Sequence, residues 1–178
     1  MDGQWGNWQI VDFKLEYEVG ELHITAVGSE LYFHSSLPGG QGGVDIWAAE
    51  NIDRVWQEPV NITGVNSIHT DNWPFVSQDG AELWFTRAIG APELYRSKKV
   101  NGEWTEPVKM FSIFSGESSM DNEGNIYYTH HFFKDDVMLE ADIYIARKKQ
   151  EQILICSRNF NKKNGTDCWM RFISVMML

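Results

Sequence analysis

The chain has 178 residues and a formal net charge of −10, a size that suits one ordinary domain or part of a larger one. Hydrophobic residues make up 43% and charged residues 22%, which excludes a wholly disordered chain, and no run approaches the roughly 18 apolar residues of a membrane-spanning helix. The acidic balance speaks against a nucleic-acid-binding body, which would need clustered Lys and Arg to neutralise phosphates.

Read in chain order, the sequence repeats itself. Asp2-Gly-Gln-Trp5 is a partial copy of an element that returns as Arg54-Val-Trp-Gln-Glu-Pro-Val60 and Gly102-Glu-Trp-Thr-Glu-Pro-Val108. Gly28-Ser-Glu-Leu-Tyr-Phe33 is echoed by Gly80-Ala-Glu-Leu-Trp-Phe85 and Gly124-Asn-Ile-Tyr-Tyr128. Asp45-Ile-Trp47 returns as Glu93-Leu-Tyr95 and Asp142-Ile-Tyr144. The spacing from Trp56 to Trp104, and from Trp47 to Tyr95, is 48 residues, a period within the range of propeller blades.

Each unit reads as four short strands. In the middle copy Trp73–Ser77 is a strand turned by Gln78-Asp-Gly80, and Leu83–Thr86 follows, rich in aromatic and β-branched residues. Glu93–Ser97 is the third strand, and Asn101-Gly102 is a two-residue hairpin signal. The fourth strand begins at Trp104, and Pro107 within it suits an outer edge, where a missing N–H costs no ladder bond. No segment before residue 149 has a helical period, so the expected class is all-β. The recurrence of Trp73, Trp84, Tyr95 and Trp104 at repeat positions marks them as core.

The run Asp71-Asn-Trp-Pro-Phe-Val-Ser-Gln-Asp-Gly-Ala-Glu-Leu-Trp-Phe85 resembles the strand-turn-strand core of the WD40-like propeller repeat, the PD40 or TolB-type repeat. Leu31 to Trp47, with its Gly39-Gly-Gln-Gly-Gly43 stretch, is similar to a glycine-rich connection of that repeat. The resemblance covers residues 1–149. It implies a partial β-propeller of about three four-stranded blades and a cell-envelope or extracellular setting. The first copy carries Ala26-Val27-Gly28 and the third Asp121-Asn-Glu-Gly124 where the middle one has its Gln-Asp-Gly turn, so those two units are expected to be less regular.

In such a blade the connections from second to third strand, and from fourth strand to the next unit, share one end. Those connections are expected as longer loops, and function tends to sit on loops held by a rigid scaffold. The candidate ligand-binding side chains on that face are His34, His69, Asp71, Arg87, Glu93, His130 and His131, with Asp135 and Asp136 beside them. Asp71 and Glu93 supply a carboxylate pair of the kind glycoside hydrolysis needs. The histidines invite a metal reading, but His34, His69 and His130 come from three different units, and ligation needs convergence on one ion. The acidic run around Asp135 lacks calcium-loop spacing, and Gly39–Gly43 is followed by no Lys-Ser/Thr, so it reads as a flexible loop. No metal or cofactor is expected.

Residues 150–178 form an atypical segment, with four basic groups against two acidic ones and both cysteines, Cys156 and Cys168. It reads as a truncated or frameshifted end, or less readily as a capping strand at Ile153-Leu-Ile155. Three units cannot close a ring of four to eight blades, which leaves a longer chain, self-association or a cap as the means of closure. The expected function is a non-catalytic binding module for a protein or glycan. The alternative is a carbohydrate-active hydrolase or lyase with its site at the channel mouth.

Overall fold

The computed structural model describes Gly6 and residues 17–111, 114–149 and 152–156. The Asp2–Trp5 copy, Cys168 and the segment beyond Cys156 lie outside them. Among the described residues the fold is all-β, as the pattern of short aromatic strands and glycine turns requires.

Sheet 1 is built from β1 (Val19–Ile24), β2 (Glu30–Ser35), β3 (Asp45–Ile52), β4 (Val55–Trp56) and β5 (Val60–Asn61). Sheet 2 contains β6 (Thr70–Val76), β7 (Glu82–Ile89), β8 (Ala91–Val100), β9 (Glu103–Trp104) and β10 (Val108–Lys109). Sheet 3 contains β11 (Ser115–Met120), β12 (Ile126–Lys134), β13 (Val137–Lys149) and β14 (Gln152–Cys156). All three are antiparallel meanders in chain order. The outer strand of sheets 1 and 2 is broken into two pieces, β4 and β5 on β3, and β9 and β10 on β8. Pro59 and Pro107 sit in the breaks, on an edge where their missing N–H is tolerated. β14 pairs with β13 as the fourth strand of sheet 3.

The 48-residue period is visible in the hydrogen bonds. Gln57 N–H donates to Glu50 O and Ile62 N–H to Ile46 O, and the same bonds recur from Thr105 to Lys98 and from Met110 to Leu94. The turns after the first strands are also one geometry. Gly28, Gly80 and Gly124 all have positive φ and donate to the carbonyls of Thr25, Ser77 and Asp121. The side-chain oxygens of Thr25, Ser77 and Asp121 then accept from the backbone N–H that opens the following strand region, at Glu30, Glu82 and Asn125. The departures from Gln-Asp-Gly therefore change residues and leave the turn intact, because any short acceptor side chain three residues before the glycine can cap it.

A feature absent from the expectations is a bulge in each first strand. The register slips between Gly20 and His23 in β1, between Asn72 and Phe75 in β6, and between Gly116 and Ser119 in β11. Glu21, Trp73 and Glu117 occupy these slips with φ of 40°, 49° and 52°. An extra residue increases the local twist, so each first strand bends at the same point.

The sheets pack face on face. Tyr32 and Ile46 of sheet 1 meet Val76, Leu83 and Phe85 of sheet 2, with Val65 between them. Trp84, Leu94, Met110 and Phe111 meet Ile126, Tyr128 and Ala146 of sheet 3. Phe111 stacks on Tyr128 at 4.5 Å. Burying each large apolar side chain contributes about 1.5–3 kcal/mol, so these two seams are the main adhesive between sheets. Trp84 is core as expected, while Trp104 and Tyr95 are partly buried against the first seam.

Candidate functional site

Three equivalent cross-strand pairs stand at one end of the sheets. Ser35 faces Asp45, Arg87 faces Glu93, and His130 faces Asp142. An acidic residue thus holds the same register position on the third strand of every unit. These pairs lie at the end where the candidate face was expected, but in sheets 2 and 3 most of the face is strand. Arg87 and Glu93 are joined through a tight reversal at Gly90, φ 78°. His130 and His131 lie within β12, and the connection that was expected as a longer loop is a hairpin that turns on Asp135 and Asp136, φ 50° and 62°. Two consecutive left-handed residues make the turn whose twist matches antiparallel strands, so the two aspartates are turn residues.

Sheet 2 gathers three of the candidates. Asp71, Arg87 and Glu93 are consecutive cross-strand neighbours on β6, β7 and β8. The Arg87 guanidinium donates through Nε to Asp71 Oδ1 at 2.6 Å and through Nη2 to Val65 O at 2.6 Å. Its plane lies over the Tyr95 ring at 4.8 Å and the Phe85 ring at 5.3 Å. Asp71 is fully buried, and its second oxygen accepts from the Ser67 N–H and hydroxyl. Glu93 accepts from Lys109 Nζ and the Tyr95 hydroxyl. Every charge in this row therefore has a partner inside the protein, as a buried charge must.

Sheet 1 repeats the theme with a loop in place of an arginine. Asp45 is buried and accepts from the N–H groups of Gln41 and Gly42. Burial pushes its carboxyl above the usual range, those backbone bonds oppose the shift, and the nearby Asp71 charge adds to it. The Gly39–Gly43 stretch is thus a fastened loop: Gln41 Nε2 also bonds Thr63 O. A Cβ on Gly42 would lie 1.8 Å from His69 O, and one on Gly40 would lie 1.9 Å from Asp45 Oδ2. Glycine is needed because two backbones approach closely.

The histidines do not converge. His34 on β2 accepts from the Trp73 N–H through Nδ1 and meets the Trp73 ring edge-on. His69 precedes β6 and donates its N–H to Ser67 Oγ. His130 packs edge-on against Phe132 and Tyr144, and burial, with the neighbouring His131, lowers its imidazole pKa while Asp142 opposes. His131 donates its N–H to Phe114 O. Among the described residues no group of three His, Cys, Asp or Glu side chains is placed to hold a metal ion.

Sequence reasoning missed Asp45, Ser67 and Lys109. The signal for Asp45 was present in the repeat itself, since Asp45, Glu93 and Asp142 share one position. At the opposite end, between sheets 2 and 3, a cleft of about 560 Å³ opens among the first turns. It is lined by charged groups including Asp79, Glu82, Lys98, Asp121 and Lys148. The Ser77 hydroxyl and Ala81 N–H hold the Asp79 carboxyl below its usual range, as Asn125 does for Asp121. Both acids thus serve their own turns.

In comparisons with known proteins, no family model matches the chain and no curated protein matches it.

Proposed function

We propose that the three sheets are blades of a WD40-like β-propeller and that the chain is a non-catalytic binding module for a protein partner. Three meanders with matching turns, matching first-strand bulges and 48-residue hydrogen-bond spacing support the blade reading. The observation that carries the binding reading is a contrast at one end of the molecule. The Asp71–Arg87–Glu93 row is consumed by internal partners, while the β12–β13 hairpin beside the equivalent His130–Asp142 pair carries exposed Phe133, Val137, Met138 and Leu139. Exposed apolar side chains on a hairpin favour protein recognition over catalysis. A hydrolase reading based on Asp71 and Glu93 would need both carboxylates to reach substrate, and the burial of Asp71 counts against it.

The test is affinity capture from a lysate by the wild-type chain and by Leu139→Asp, with immobilised glycans and chromogenic glycosides as parallel probes. The expected result is a protein recovered at least about tenfold better by wild type, with no glycan retention and no turnover. Identical recovery by both chains, or glycan turnover, would overturn the reading.

A further inference from the structure

Among the described residues, every sheet edge but one is interrupted. The first strands β1, β6 and β11 are edges broken by their bulges. The outer strands of sheets 1 and 2 are split into short pieces around Pro59 and Pro107. Bulges, prolines and short pieces are the devices that keep a sheet edge from pairing with another chain. β14 has none of them. It runs unbroken from Gln152 to Cys156, pairs with β13 at every position, and contains no proline, glycine or charged residue.

Lys148 shows which backbone groups of β14 face outward. Its N–H donates to Asn125 Oδ1, on the β12 side of β13. In an antiparallel ladder the N–H and C=O of one residue point to the same neighbour, and the direction alternates along the strand. Lys148 therefore turns away from β14, and its pair with Ile153 is the kind without hydrogen bonds. Arg147 turns towards β14, so Leu154 is spent on β13, whereas the N–H and C=O groups of Ile153 and Ile155 point out of the sheet.

We infer that this edge pairs with the same edge of a second copy, antiparallel about a two-fold axis at Leu154. Ile153 then faces Ile155 of the partner subunit, and Ile155 faces Ile153 of the partner subunit. Each of these pairs exchanges both of its N–H···O bonds, while the two Leu154 residues meet as a pair that needs none. The outward groups are symmetric about Leu154, so an identical strand satisfies all of them in a single register. A second copy brings only this one uninterrupted edge, which fixes β14 on β14 as the contact and closes the assembly at two. The inference is independent of the hairpin-tip binding reading.

Light scattering over a dilution series of the whole chain under reducing conditions tests it, together with amide exchange. The expected mass rises with concentration from 20.5 kDa to about 41 kDa, and the Ile153 and Ile155 amides exchange more slowly as it does. Ile155→Pro strips an outward N–H from each copy and leaves the β13 ladder whole, so it weakens the pair at least about tenfold. Ile155→Val keeps the backbone and leaves the pair unchanged, as does Leu139→Asp on the hairpin. If Ile155→Pro loses its circular-dichroism spectrum, Ile153→Pro takes its place with the same expected loss. A monomer at every concentration, including one whose two amides stay protected at all dilutions, would overturn the assignment. So would a dimer indifferent to the proline, or one that leaves those two amides exchanging freely.

Discussion

Arg87 meets Asp71 at 2.6 Å in a contact where the carboxylate is fully buried and the guanidinium nearly so. A pair of this kind resists the loss of one member more than the loss of both, since a lone buried charge has no water to turn to. Asp71→Ala is expected to cost about 3–5 kcal/mol, read by denaturant unfolding. The double replacement Asp71→Leu with Arg87→Met should cost less than the two single changes added together. Additive costs would mean that the two charges act apart.

The fastened glycine loop gives a second expectation. Gly42→Ala pushes a methyl into the His69 carbonyl, which belongs to backbone and cannot swing aside. The expected loss is about 1–3 kcal/mol or more, measured by thermal or denaturant unfolding. Gly43→Ala, whose added Cβ would lie 3.5 Å from Thr70 Oγ1, should be far milder. Equal losses would show that the loop yields as a whole.

Arg54 offers a gain. Asp53 and Arg54 form the central pair of the hairpin between β3 and β4, both left-handed, φ 52° and 68°, where sheet 2 uses Asn101 and Gly102. A non-glycine residue pays roughly 1–2 kcal/mol for that conformation, and glycine returns part of it through its freer unfolded chain. Arg54→Gly should raise stability by about 0.5–1 kcal/mol, since it creates the Asp-Gly pair such turns prefer. A fall in melting temperature would contradict the turn assignment.

The pH response follows from His34. Burial holds its imidazole below the ordinary 6.5, with Glu21 pulling the other way, and only the neutral ring can accept the Trp73 N–H at Nδ1. A depressed folded-state value means that the unfolded chain takes the proton first, so this stability is present above 6.5 and lost as pH falls through the folded value. His23 and His130 are lowered by burial too and act in the same direction. Asp45, raised by burial, works oppositely: its share is present below the ordinary 3.8 and is lost as pH rises through its folded value. The melting temperature should therefore drop between about pH 7.5 and pH 5.5, with a shallower slope in His34→Gln. An unchanged slope would remove His34 from the account.

The repeat period, the turns and the all-β class were legible because glycine and paired aromatics recur at fixed spacing. The bulges were not legible, because Glu21, Trp73 and Glu117 are ordinary residues that give no local sign of a left-handed backbone. The site was only partly legible. Asp71, Arg87 and Glu93 are cross-strand neighbours, and their mutual pairing depends on strand register that joins residues 16 positions apart. His130 and His131 looked like loop residues because Asp135-Asp136 lacks the glycine that usually advertises a tight hairpin.

The face-on-face stacking of the sheets also bears on how the molecule comes apart. In a linear stack each unit gains only from its immediate neighbours, so opening should begin where a neighbour is missing. Sheet 2 is held on both faces by the two seams, while Ile143 and Tyr127 leave one face of sheet 3 open. Amide protons of Leu83–Thr86 should then exchange last and those of β13 early, so that the chain frays from its third sheet inward before the central one lets go. Uniform exchange across the three sheets would instead mark the stack as one cooperative unit.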